Sequence, residues 1–99
     1  MAFMPYNISE EGGILMPTIS MFYGIIIMMY LKEKEHNPPH IHALYGSEQA
    51  TFYISTGEVY KGYFPKRAKQ MVKEFVLKYQ KELFEMWETG KYAKLKGLE

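Results

Sequence analysis

Two adjacent prolines, Pro38 and Pro39, interrupt this chain at a point that neither a helix nor a sheet ladder can cross. Neither has an N–H to donate, and each forces the residue before it toward extended geometry. The segments on either side must therefore be separate elements joined by a stiff bend. The same bend holds every histidine of the chain, in the string His36-Asn37-Pro38-Pro39-His40-Ile41-His42. Imidazole changes charge near neutral pH and is the commonest metal ligand, so this string is the one credible chemical site that residue types alone single out.

Composition narrows what that site can be. At 99 residues with 47% hydrophobic content, the chain can build a single modest core and no second domain is expected. Cysteine is absent, which removes disulfides and thiolate ligands. Aspartate is absent as well, and all eleven acidic residues are glutamates, so aspartate-rich calcium loops and aspartate metal clusters are excluded. The longest apolar run, Met21 to Leu31, is eleven residues long and contains Gly24, against the roughly 20 needed to span a bilayer. No basic residue precedes an apolar stretch at the N-terminus, so no secretory signal is indicated and a cytoplasmic location is expected.

Both ends differ from the middle. Residues 1–15 lack sustained periodicity and hold Pro5, Gly12 and Gly13, so they are read as a non-native or disordered extension, with Met16 as the natural start. Residues 16–90 form a single domain, 91–99 a basic flexible tail, and Leu98-Glu99 is read as a cloning scar. Residues 16–97 hold eight glutamates against twelve basic residues, a net charge of +4 where the full chain carries +1. That permits an acidic partner or RNA without arguing for either.

The patterned region predicts an α+β fold. Ile19 to Phe22 and Ile25 to Leu31 read as strands around a Tyr23-Gly24 turn, the second apolar at nearly every position, as for a strand covered on both faces or meeting a partner. His40 to Tyr45, Gln49 to Ser55 and Glu58 to Tyr63 are three further strands, joined by Gly46-Ser47 and Thr56-Gly57 in antiparallel order. Pro65 then suits a helix start, and Ala68, Met71, Val72, Phe75, Val76, Tyr79, Leu83, Met86 and Trp87 make one apolar stripe that stops at Gly90. Tyr79-Gln80-Lys81 interrupts the stripe, so one long helix is expected, with a kink or two shorter helices as the alternative. The expected architecture is a curved antiparallel sheet of about five strands packed on one face by this C-terminal helix. Alternation puts Ile41, Ala43 and Tyr45 on one face of the third strand and His40, His42 and Leu44 on the other.

Several stretches together carry a resemblance. They are Met16-Pro17-Thr18-Ile19-Ser20, the Phe22/Gly24/Ile25 hairpin, His36-Asn37-Pro38-Pro39-His40-Ile41-His42-Ala43, Tyr45-Gly46, and Glu82-Leu83 followed by Trp87. The chain from about Met16 to Trp87 resembles the small bacterial family catalogued as domain of unknown function 4160. The resemblance implies no assigned activity. It does imply small cytoplasmic proteins often encoded beside another short protein, a layout similar to toxin–antitoxin pairs, and hence a small protein partner.

Three chemistries fit the histidines. In a structural role, the Pro-Pro turn sets strand register, the imidazoles bond nearby backbone carbonyls and Asn37 caps the turn. Such a turn also suits recognition of a partner chain, with His36–His42, Asn37, Pro38, Pro39 and Tyr45 as the surface and homo-oligomerisation as one form of it. In a metal role, His40 and His42 reach one zinc, iron or manganese ion, His36 folds back as third ligand, and Glu48 or Glu58 completes a hydrolytic site. In an acid–base role on RNA, His36, His40 and His42 supply base and acid while Lys66, Arg67 or Lys69 neutralises phosphate. The leading expectation is a protein-binding component of a toxin–antitoxin-like pair. The alternative is a metal-dependent hydrolase or a histidine acid–base ribonuclease.

Overall fold

The computed structural model describes residues 16–30 and 38–99. The expectations for residues 1–15, for His36 and for Asn37 lie outside the described residues. Five strands, β1 (Thr18–Phe22), β2 (Ile25–Met28), β3 (His40–Tyr45), β4 (Glu48–Tyr53) and β5 (Val59–Gly62), lie side by side in chain order. Each pairs antiparallel with the next. Two helices complete the order, α1 (Lys66–Lys78) and α2 (Gln80–Thr89).

The turns obey local chemistry. Tyr23 and Gly24 both have positive φ (50° and 80°), the requirement of a type I′ hairpin whose twist matches the strands. Between Tyr45 and Glu48, positive φ falls on Gly46 alone (62°), the first of two loop residues, as in a type II′ turn. Pro39 has no N–H, but its carbonyl still accepts from Ile54 N–H at 3.1 Å, so the bend hands the chain directly into the β3–β4 ladder.

One sheet face is covered. Ile25, Ile27, Ile41, Ala43, Phe52 and Ile54 point into a core completed by Val72, Phe75, Val76, Leu83 and Met86 from the helices. Phe22 and Phe75 stack at 5.1 Å across that interface. β2 is thus buried on alternate residues and half-buried on the others, because the helices cover only one of its faces.

The helix is split at Tyr79, which has φ −108° and ψ 25°. The hydrogen-bond ladder still crosses the break, with Tyr79 N–H on Phe75 O at 3.1 Å and Leu83 N–H on Tyr79 O at 2.8 Å. Gln80 donates from Nε2 to the carbonyls of Ile54 and Ser55, both at 2.8 Å, and so ties the break to the end of β4. Gly90 ends α2 in the left-handed conformation. Beside β5, Glu58 accepts from Lys73 Nζ of α1 at 2.6 Å, and this bond and charge hold the Glu58 carboxyl below its ordinary pKa.

Both edge strands contain a bulge. In β1, Thr18 and Ser20 face the consecutive residues Met28 and Ile27, so Ile19 is the inserted residue. In β5, Val59 and Lys61 face the consecutive residues Phe52 and Thr51, so Tyr60 is inserted. Residues 91–99 have no regular structure and reach β1: Leu95 N–H donates to Ile19 O at 2.8 Å, and the Tyr92 hydroxyl donates to Thr18 O at 2.7 Å. Carbonyls of an open sheet edge are thereby engaged.

The backbone and the core each generate a stability prediction. A Cβ at Gly62 (φ 91°) would meet Gln49 O at 2.6 Å, whereas one at Gly46 would meet nothing within 4 Å. Gly62→Ala is expected to lower the unfolding free energy by roughly 2–4 kcal/mol and Gly46→Ala by only about 1 kcal/mol, read from urea midpoints. Equal losses would show that the β4–β5 contact is not close. Ser20 Oγ is buried and has no hydrogen-bond partner among the described residues, so Ser20→Ala should leave stability unchanged or raise it by up to about 1 kcal/mol. A clear loss would mean that the hydroxyl is satisfied in solution.

Candidate functional site

β3 leaves the proline bend with His40, Ile41 and His42. Ile41 enters the helix-covered core and is fully buried, so the pleat sends His40 and His42 to the opposite face, which stays bare at His42 and is reached by α2 only through Trp87 at His40. Their fates differ. His42 is half-exposed, with the Tyr30 ring edge-on at 5.0 Å. His40 is 7% exposed, because it lies at the strand end where the rings of Trp87 (5.0 Å), His42 (5.3 Å) and Tyr60 (5.8 Å) close around it. Its Nδ1 lies 2.7 Å from Pro38 O. A carbonyl only accepts, so Nδ1 carries the proton in this bond.

The structural role expected of the histidines is thus observed for His40, whose bond to Pro38 O pins the proline bend to the first residue of β3. Of the two histidines that alternation sets opposite Ile41, His42 is half-exposed and His40 is buried. Trp87, the last residue of the apolar stripe read from the sequence, is partly buried and its indole packs against His40.

The other expected site residues are not gathered here. Tyr45 is at the far end of β3, five residues and about 17 Å along the strand from His40. It lines a separate depression of 530 Å³ together with Tyr23, Arg67 and Glu74. Lys66 and Arg67 are exposed in the first turn of α1, on the helical side of the sheet. The arrangement that set Lys66, Arg67 or Lys69 against the histidines is therefore corrected: α1 packs on the face from which His42 points away. Glu48 begins β4 opposite Tyr45, at the far end from His40, and Glu58 turns to Lys73. Among the described residues, no three His or Glu side chains converge to hold a metal ion.

The surroundings of His42 carry no sign in the sequence. A groove of 400 Å³ on the helix-free face is lined by Tyr30, His42, Gln49, Thr51 and Lys61 among others. Tyr53 and Tyr60, on neighbouring strands, meet with ring centroids 4.9 Å apart. Strict alternation would send Tyr60 and Lys61 to opposite faces. The bulge puts Tyr60 beside His40 and Lys61 opposite Thr51, so both serve the histidine face.

An open antiparallel meander backed on one side by a broken helix, with imidazoles and aromatic rings on its bare side, defines a small α+β protein. The chain belongs to the family described as Domain of unknown function (DUF4160), whose match covers residues 24–88, from the first hairpin turn to the last turn of α2. Neither the curated proteins nor the solved structures contain a match to this chain.

The two histidines should separate in stability measurements. His40→Ala leaves the Pro38 carbonyl without its donor and a hole beside Trp87, and is expected to lower the unfolding free energy by about 2–4 kcal/mol. His42→Ala should cost under about 1 kcal/mol. Similar costs in urea titrations would show that His40 does not anchor the bend.

Proposed function

We propose that the protein acts by binding a small protein partner through the helix-free face of its sheet, as one component of a toxin–antitoxin-like pair in the cytoplasm. The observation that carries this reading is an apolar cross-strand row, Met21, Ile26 and Leu44, lying next to His42, Tyr30 and Tyr60 on the face opposite the helix-packed core, while Trp87 of α2 encloses His40 at the end of that face. Met21 is 66% exposed and Tyr60 38%, while Ile26, Met28 and Leu44 are half-buried. Apolar and aromatic side chains gathered on one exposed face, rimmed by polar groups, are the composition of a recognition surface. No helix among the described residues is long and apolar enough to cross a membrane. The short protein encoded alongside, which the family resemblance leads one to expect, is the candidate partner.

Co-expression of the chain with that neighbouring protein should yield a complex that survives size-exclusion chromatography. Leu44→Lys or Met21→Asp should abolish it, while Leu77→Asp, on the exposed side of α1, should not. The reading is withdrawn if wild-type protein forms no complex, or if the complex tolerates both sheet-face substitutions. RNA cleavage or metal-dependent hydrolysis by the purified chain, lost in His42→Ala with folding retained, would favour the enzyme reading instead.

A further inference from the structure

We propose that the cross-strand row His42–Thr51–Lys61 is a binding site for a small phosphomonoester that carries an aromatic ring, such as a nucleoside monophosphate. The row runs straight across three strands: His42 pairs with Thr51, and Thr51 pairs with Lys61. Strand spacing of about 4.8 Å places the outer two Cα atoms about 10 Å apart. A phosphate fits between them, with the imidazole on one side, the ammonium on the other and the Thr51 hydroxyl beneath. An imidazole N–H donates to a phosphate oxygen, the ammonium adds a charge-assisted hydrogen bond, and a hydroxyl supplies a third donor.

The bulge in β5 is what completes this set. Regular pleating would turn Lys61 toward the core face, whereas the inserted Tyr60 delivers it to the side of His42. The side chain is exposed, with Nζ 5.7 Å from the centre of the Tyr60 ring, so it can swing to a ligand. Among the described residues no carboxylate lines the groove. The depression at the start of α1 has Arg67 but also Glu74 and Glu99 on its walls, which disfavours an anion there. The groove's 400 Å³ is within the range of small-ligand sites, roughly 300–1,000 Å³. Tyr30 and Met28 form an apolar wall against which a planar base can lie, and Gln49 offers an amide to its edge. The site does not rest on the protein-partner reading, because it needs only the isolated chain.

The test is an NMR titration of the 15N-labelled full chain, at constant ionic strength, with inorganic phosphate, adenosine and adenosine 5′-monophosphate in separate arms. Saturable shifts are expected at His42, Thr51 and Lys61, strongest with the monophosphate, weaker with phosphate and weakest with adenosine. Lys61→Met and Thr51→Val should each raise the dissociation constant for the monophosphate about tenfold. Both positions are on the bare face, and unchanged circular dichroism confirms the fold. The proposal is overturned by the absence of saturation in the millimolar range, by shifts centred on Lys66 and Arg67, or by unaltered affinity in Lys61→Met. Binding of an oligonucleotide without binding of the monophosphate overturns it too. Failure here leaves the co-expression complex untouched, and loss of that complex leaves this titration untouched.

Discussion

The apolar contact between the helix pair and one face of the meander sets the orientation of everything else. Once Phe52, Ile41 and Ile27 turn toward Phe75, Val76 and Leu83, the two-residue pleat dictates which side chains remain on the far side. A slip of one residue in β3 would send His40 and His42 into the core and Ile41 out of it. The register is thus held by burial, and the histidine face is its by-product. The type I′ turn at Tyr23-Gly24 and the Gly46 turn lock the same register from the strand ends.

That orientation leaves the two histidines with different work. His40 is enclosed by Trp87, Tyr60 and His42 and commits Nδ1 to Pro38 O, which makes it part of the structure of the bend. His42, two residues further along β3, stays half-exposed beside Tyr30, Thr51 and Lys61. The difference follows position: Trp87 packs against His40 at the end of β3. A proline bend whose rigidity is fixed by one imidazole can present the next one at a defined place, which is what a binding surface requires.

The element plan was largely legible. Positive-φ turn residues, alternation in β3 and β4 and the helical stripe from Ala68 to Trp87 are local signals, and the structure obeys each to within a residue or two. Even the break at Tyr79-Gln80 was visible as a lapse in the stripe. The candidate site was legible only in part. His40 and His42 were found because imidazole is scarce in this chain, but Lys61 and Thr51 gave no local sign, since neither residue type nor spacing distinguishes them from ordinary strand residues. The link drawn from Lys66 and Arg67 to the histidines failed for the converse reason: closeness of chemical purpose says nothing about which side of a sheet a helix covers.

By itself, the sequence determined the number and order of the elements, the α+β class, the single apolar core and the place of the bend. These depend on backbone rules that act over a few residues: no N–H at proline, free φ at glycine, a period of two for strands and 3.6 for a helix. Only the tertiary structure decided which face the helices cover, that Trp87 encloses His40, and that bulges at Ile19 and Tyr60 shift the next residues of each strand to a new face. Those outcomes depend on contacts between residues far apart in the chain and on a one-residue insertion in a ladder, whose energy is settled by packing on both sides of the sheet and not by any local pattern.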